Sequence, residues 1–318
     1  MESSMKKKPI IILTGPTAVG KTKASIGLAK SVNGEIISAD SMQVYKYMDI
    51  GTAKITQKEM DGVSHHLIDT LLPDEEFNVA IFKDKATEAI NTIYEKGKIP
   101  IIVGGTGFYI QAILYDIDFT QTEGHPYRDE LEALASTLTA TELHQKLASV
   151  DPEAALAIHQ NNTKRVLRAL EYFHETGEKI STHNETERQK SSPYNACYFV
   201  LNDEREQLYT RIDSRIDTMV EQGLLREVKQ LLDNGYHRNL VSMQGLGYKE
   251  IASYLANECT LDEAIHILKR DTRHFAKRQL TWFKRERDVI WINKKDYNYD
   301  ENDVLAQILA VVKERNLL

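Results

Sequence analysis

The chain has 318 residues, 42% of them hydrophobic and 27% charged, with a formal net charge of −7 at neutral pH. That length suits one large or two unequal domains, the composition excludes a disordered or fibrous chain, and the acidic balance confines any nucleic-acid contact to a local basic patch. Two isolated cysteines, Cys197 and Cys259, exclude a disulfide framework or a zinc site, and the lack of a membrane span or signal-peptide pattern predicts a cytoplasmic protein with no membrane partner.

In chain order, the first third alternates β-rich runs with helical patterns, which predicts a parallel α/β sheet. Strands are expected over 9–14, 35–38, 66–70 and 99–103. Between the last two, Val79, Phe82, Ala86, Ala89 and Ile93 recur at helical spacing, and Gly97 can end that helix. From 122 to 195 strand patterns give way to successive helical ones, with Asp151 before Pro152 as an N-cap and 162–177 as a further helix, followed by a polar stretch leading out. Residues 196–201 resume strand character, so the expected organisation is a core over 1–121 and 196–318 interrupted by an all-helical insertion over 122–195. Ile212, Ile216, Met219, Val220, Leu224, Val228 and Leu231 form one apolar stripe. A last long helix starts at the capping box Thr260 to Glu263 and runs to about Arg287, and 289–292 is a final strand.

GPTAVGKT, Gly15 to Thr22, fits GxxxxGK[ST] between a predicted strand and a predicted helix. Its backbone N–H groups wrap a phosphate, Lys21 reaches the oxygens, Thr22 can ligate Mg²⁺, and the helix dipole points at the anion. The loop identifies a diphosphate-like anion and leaves three readings open: a small-molecule kinase, an NTP-hydrolysing switch, or an enzyme whose substrate carries a diphosphate. The NKKD stretch over 293–296 imitates a guanine-reading signature, but no Asp has Gly three residues later, as a γ-phosphate sensor requires, so NKKD reads as a solvated turn.

Asp40 follows the second strand on the sheet edge where parallel α/β folds gather ligands, which makes it the leading general-base candidate; a helix N-cap, or a group bonded to a ligand of Mg²⁺, is the plainer alternative. Thr106, inside the glycine-rich turn after the 99–103 strand, presents a hydroxyl on the same edge. Arg211 and Arg215 stand one helical turn apart and could grip an anion, although salt bridges to Asp213 or Asp217 would equally explain them. Adjacent His65 and His66 cannot share a helix face as a metal pair would, so a strand-end or core role is expected.

The last helix has an apolar stripe of Leu261, Ile265, Leu268, Thr272, Phe275 and Trp282, interrupted by Gln279, and a second stripe of Arg270, Arg273, Lys277, Thr281 and Lys284. Residues 269–287 carry eight basic side chains, Arg278 included, against two acidic ones, a local charge of +6 in an acidic chain. A helix about 40 Å long with that face suits several phosphates of a folded nucleic acid.

With these pieces placed, the chain resembles the bacterial tRNA dimethylallyltransferases. The matching segments are GPTAVGKT, ISADSMQVYKYMDIGTAK, HHLID, VGGTGFYIQAIL, KRVLRALE, RIDSRIDTMVEQGLLREV, QGLGYKE and RHFAKRQLTWFKR. The resemblance implies a phosphate-loop α/β core with an all-helical insertion, acting as a monomer on two partners, dimethylallyl diphosphate and the anticodon stem-loop of tRNA. It implies that Gly15, Pro16, Thr17, Ala18, Val19, Gly20, Lys21 and Thr22, with Arg211 or Arg215 and Mg²⁺, hold a diphosphate that departs as the five-carbon group moves to N6 of adenosine 37. Asp40, Thr106 and Lys21 are the implied catalytic residues. Ser41, Met42 and Gln43 join Asp40 at the base. Lys164, Arg165, Val166, Leu167 and Arg168, then Gln244, Gly245, Gly247, Tyr248 and Lys249, and Arg273, Lys277, Arg278, Trp282 and Lys284 would contact the RNA. The runner-up is a kinase whose insertion is a lid; a binding module without catalysis comes third.

Overall fold

The computed structural model describes residues 7–119 and 126–317. Six parallel strands form one sheet: β1 (Lys8–Thr14), β2 (Gly34–Ala39), β3 (His65–His66), β4 (Ile99–Gly104), β5 (Tyr194–Asn202) and β6 (Val289–Asn293), in the order β3-β2-β4-β1-β5-β6. β1 lies in the interior, and its Ile10 to Leu13 run is wholly buried, as a strand covered on both faces requires. The strand expected over 66–70 is shorter, because Leu67 and Asp69 adopt positive φ and turn the chain away from β2.

α1 (Lys21–Ser31), the short α2 (Gln57–Met60), α3 (Val79–Glu95) and α4 (Gly107–Leu114) complete the first part of the core. α3 starts at Asn78, whose side chain accepts from the Ala80 and Ile81 N–H groups, and buries Phe82, Ala86, Ala89, Ile90 and Ile93. At the amino end of β2, buried Glu35 receives Lys96, Lys98 and His66. Burial pushes its carboxyl up, but the bonds from Lys98, His66 and Lys96 outweigh this and bring it down to about 2. His66 therefore serves a structural hydrogen bond.

The chain divides into two compact units, residues 1–114 with 192–318, and residues 115–191. The expected entry into the insertion at 121/122 falls outside the described residues. The exit comes a few residues before 195 because Tyr194 already pairs with Lys8 in the sheet. The insertion comprises α5 (Pro126–Thr137), α6 (Ala140–Val150), α7 (Pro152–Ala157), α8 (Thr163–Thr176) and α9 (Ile180–Gln189) around a core including Leu131, Leu143, Leu147, Val166 and Leu170. α9 occupies the stretch expected to be a polar exit. Its start is fixed at a distance in sequence: Asp151, which caps α7, also accepts from the Ser181 N–H and hydroxyl.

The single apolar stripe of the sequence is split between α10 (Arg205–Gln222) and α11 (Leu224–Asp233). Gly223, at φ 107, ends one helix and starts the next, a conformation that glycine adopts without steric cost. α12 (Tyr248–Leu255), α13 (Leu261–Phe283) and α14 (Glu301–Glu314) follow, so α13 stops short of Arg287. Among the described residues no helix is long and apolar enough to cross a membrane.

Candidate functional site

Strand register puts three loops on one edge. Thr14 and Ala39 both pair with Gly104, so β1, β2 and β4 end level. The loops are then stitched together: the Thr14 hydroxyl donates to the Gly104 carbonyl at 2.6 Å, and the Thr106 N–H to the Ala39 carbonyl at 3.2 Å. Gly104 has no alternative here, since a Cβ would lie 2.1 Å from the Ala39 oxygen.

The phosphate loop leaves β1 at Gly15 and enters α1 after Gly20, both at positive φ, with Ala18 also left-handed. Lys21 donates to the Gly15 and Pro16 carbonyls, each at 2.8 Å. Burial, followed by the nearby Arg215 cation, lowers its pKa to about 7 against the opposing pull of Asp40. Lys21 and Asp40 are thus in electrostatic reach across the loop. Thr22 stands exposed in the first turn of α1.

Asp40 shows the capping role of its sequence readings. Its Oδ1 caps the following turn, accepting from the Met42 N–H at 2.9 Å and, more weakly, from that of Gln43 at 3.4 Å. Its Oδ2 makes no hydrogen bond to a described residue. Burial raises its pKa; the Met42 N–H and Lys21 partly offset this. The Thr106 hydroxyl likewise bonds no described residue, which leaves a carboxylate oxygen and a hydroxyl for an incoming group. Gln43 reaches the Thr52 carbonyl at 3.2 Å, and Ser41, Met42 and Gln43 are all half-buried.

The two arginines separate. Arg211 donates to the Ala18 carbonyl at 3.0 Å and pairs with buried Asp203, not with Asp213 or Asp217, so it braces the loop from behind. Among the described residues no carboxylate pairs with Arg215, which leaves that guanidinium for an anion. The NKKD stretch is only partly a solvated turn: Lys295 and Asp296 are exposed, but Lys294 is buried, pairs with Glu301 and packs against Gly20. Gln279, read from sequence as an interruption of an apolar stripe, is 6% exposed. Its Oε1 accepts from the Thr17 N–H at 2.8 Å and its Nε2 donates to the Gly105 carbonyl at 3.0 Å. No local pattern could have found it, because both partners are far away in sequence.

α13 buries Ala264, Leu268, Ala276, Gln279 and Phe283, a stripe rotated from the expected one. Lys277, Arg278 and Lys284 are exposed, and His274, Lys277, Arg278, Thr281, Trp282 and Arg285 line an open cavity of about 370 Å³. Arg273 has a partner inside the fold: its Nη1 donates to both carboxylate oxygens of Asp213, at 2.6 and 2.8 Å, and so helps dock α13 on α10. Trp282 packs over Gly107, where a Cβ would meet its ring at 2.2 Å, and meets Phe108 edge to face.

In QGLGYKE, Tyr248 cannot offer its side chain to RNA, since it is fully buried and donates to Glu227 at 2.7 Å. Glu227 also accepts from the Asp49, Ile50 and Gly51 N–H groups, which locks the loop after Gln43. Gly245 lies against Met42, Gly247 takes φ 93, and Gln244 and Lys249 stay accessible. On α8, Lys164, Arg165 and Arg168 are exposed, but Val166 is buried in the insertion core and Leu167 packs against it. Val166 therefore presents no side-chain surface to a partner, whereas Leu167 is only partly buried.

A wrapped loop with cations around it stabilises charge on a phosphate group, and a carboxylate across it can take a proton. Fold and site define a phosphate-loop α/β enzyme that acts on a phosphate-bearing substrate. Residues 43–286 match the family described as IPP transferase. The tRNA dimethylallyltransferase of Lachnoclostridium phytofermentans is 64% identical over 312 residues, covering 98% of this chain and 99% of that protein. That of Acetivibrio thermocellus is 50% identical over 293 residues, covering 92% and 94%. Among solved structures, the full-length tRNA isopentenylpyrophosphate transferase from Bacillus halodurans is 47% identical, covers 98% of both chains and superposes with a TM-score of 0.72. A eukaryotic dimethylallyltransferase captured acting on tRNA is 32% identical over 90% of this chain and 74% of its own, with a TM-score of 0.78. The chain belongs to the IPP transferase family, that of the tRNA dimethylallyltransferases.

Proposed function

We propose that the protein transfers the dimethylallyl group of dimethylallyl diphosphate to N6 of adenosine 37 in tRNA and releases diphosphate. The observation that carries this reading is the Oδ2 of Asp40, which bonds no described residue and is held on the same sheet edge as the phosphate loop, within electrostatic reach of Lys21. The C1–O bond breaks as diphosphate departs, N6 bonds to C1, and the N6 proton passes to Asp40. N6 is a weak nucleophile because its lone pair is delocalised into the ring, so an acceptor for its proton assists attack. Charge growing on the diphosphate is met by the loop N–H groups, Lys21 and Arg215. Adenine must leave its stack to reach this edge.

Thr22 fits a role as the protein ligand of Mg²⁺: it is an exposed hydroxyl at the mouth of the loop, and among the described residues no cluster of three or more acidic, His or Cys side chains could cage a metal. One hydroxyl plus substrate phosphate oxygens is an arrangement this ion accepts. When bound it would neutralise charge on the leaving group. Lys277, Arg278 and Lys284, with Lys164, Arg165 and Arg168 on the insertion, are the cations proposed to contact the anticodon arm.

Incubating the protein with labelled dimethylallyl diphosphate and an anticodon stem-loop bearing adenosines at 36 and 37 tests the reading. Label in the RNA at position 37 is the expected result. ATP-dependent phosphorylation of a small molecule, with no label in the RNA, would replace it with the kinase reading.

A further inference from the structure

We propose that Gln279 is a positioning residue that sets the spacing between the diphosphate loop and the Thr106 loop, so that the allylic carbon meets the adenine amine and not water. This rests on the function proposed above.

α13 delivers one buried amide into the gap between loops that leave neighbouring strands β1 and β4. The amide is used at both ends, accepting from Thr17 and donating to Gly105. A glutamine amide supplies one acceptor and one donor from a single fixed plane. Ionised Glu lacks the donor, and Met or Leu would leave a buried N–H and a buried carbonyl unpaired. Gly105 is fitted to it: a Cβ there would lie 2.1 Å from Nε2. The next residue is Thr106, whose N–H is tied to Ala39, itself next to Asp40. One amide thereby links the loop that holds the leaving group to the loop that faces the acceptor.

The chemistry makes that spacing matter. As the C1–O bond breaks and diphosphate takes the electron pair, C1 accepts whichever nucleophile is nearest. If N6 is in place, a C–N bond forms and the amine proton is lost. If it is not, water adds at C1, gives the five-carbon alcohol and releases a proton to solvent. Misplacement by about 1 Å costs an oriented reaction on the order of 100-fold, whereas water needs no such orientation.

The test uses the full-length Gln279→Met and Gln279→Glu proteins with labelled dimethylallyl diphosphate and the anticodon stem-loop, counting diphosphate released against RNA prenylated. In Gln279→Met, kcat for prenylation should fall by about tenfold or more, with RNA Kd within about twofold, and diphosphate released should exceed RNA prenylated. A purely structural role would lower both products together. An unchanged kcat, or equal yields of the two products, overturns the proposal. Should Gln279→Met fail to fold, Gln279→Glu decides, since it keeps the shape and the acceptor for Thr17 but loses the donor to Gly105; the same excess of diphosphate is expected. Wild-type protein that prenylates no RNA would instead remove the function on which this rests.

Discussion

Asp40 and Lys21 attract one another electrostatically, and burial displaces their pKa values in opposite directions. Asp40→Asn keeps the turn cap, because an amide oxygen still accepts from the Met42 N–H, but loses the basic oxygen. Turnover should therefore fall by about 100-fold or more, as removal of a general base does, while RNA affinity measured by filter binding changes little. Lys21, lowered to about 7, is largely neutral at pH 8, and a bound diphosphate favours the charged form. Binding of dimethylallyl diphosphate at pH 8 should thus take up a proton and weaken as pH rises above 7. Calorimetry in buffers of different ionisation enthalpy measures that uptake, and Lys21→Met should abolish its Lys21 share. The motif residues were legible because the phosphate loop is contiguous and its spacing is its chemistry. The bracing role of Arg211, and Gln279 and Glu227 altogether, were not, because their partners lie far away in the sequence: Gln279 is 262 residues from Thr17.

α13 has two working faces. Its buried face grips the core through Gln279, Arg273 and Phe283, and its open face carries Lys277, Arg278 and Lys284. Lys277→Ala should weaken RNA binding and reduce the slope of log K against log salt by about one unit, with kcat at saturating RNA preserved. Arg273→Ala should instead act through the lost α10 contact and leave that slope unchanged. The sequence established that a long basic helix exists, but assigned its inward stripe wrongly by treating a polar residue as a break. Periodicity scores hydrophobicity, and a buried amide with both ends bonded packs as well as an apolar side chain. At the α10–α11 junction the stripe ran on through Gly223, although the glycine was the signal. Gly223→Ala should cost about 1–2 kcal/mol, read from urea unfolding, for forcing a Cβ into the left-handed region.

At the scale of the molecule, Glu35 ties β2, β3 and the turn before β4 together at the end of the sheet away from the loops. Its pKa falls from 4.5 to about 2 in the folded protein. The sign follows: the stabilisation is fully present above 4.5 and is lost as pH falls from there towards 2. A displacement of that size corresponds to about 3 kcal/mol, so Glu35→Gln should lower the urea midpoint clearly at pH 7. The gap between the two proteins should narrow as pH approaches 3, and prenylation rate per folded molecule should stay unchanged. Net charge does not describe every surface of the molecule: residues 269–287 carry +6 in a chain of −7.

The sequence by itself determined the parallel α/β class, the phosphate loop, the carboxylate and hydroxyl on its edge, the helical insertion and the basic helix, because each is written in a short run whose spacing carries its physics. Only the tertiary structure decided that Arg211 braces the loop while Arg215 pairs with no carboxylate among the described residues, that Tyr248 and Val166 belong to the interior, and that one glutamine joins two loops. Those outcomes depend on which distant groups meet when the strands align at Gly104, and local spacing holds no record of such meetings.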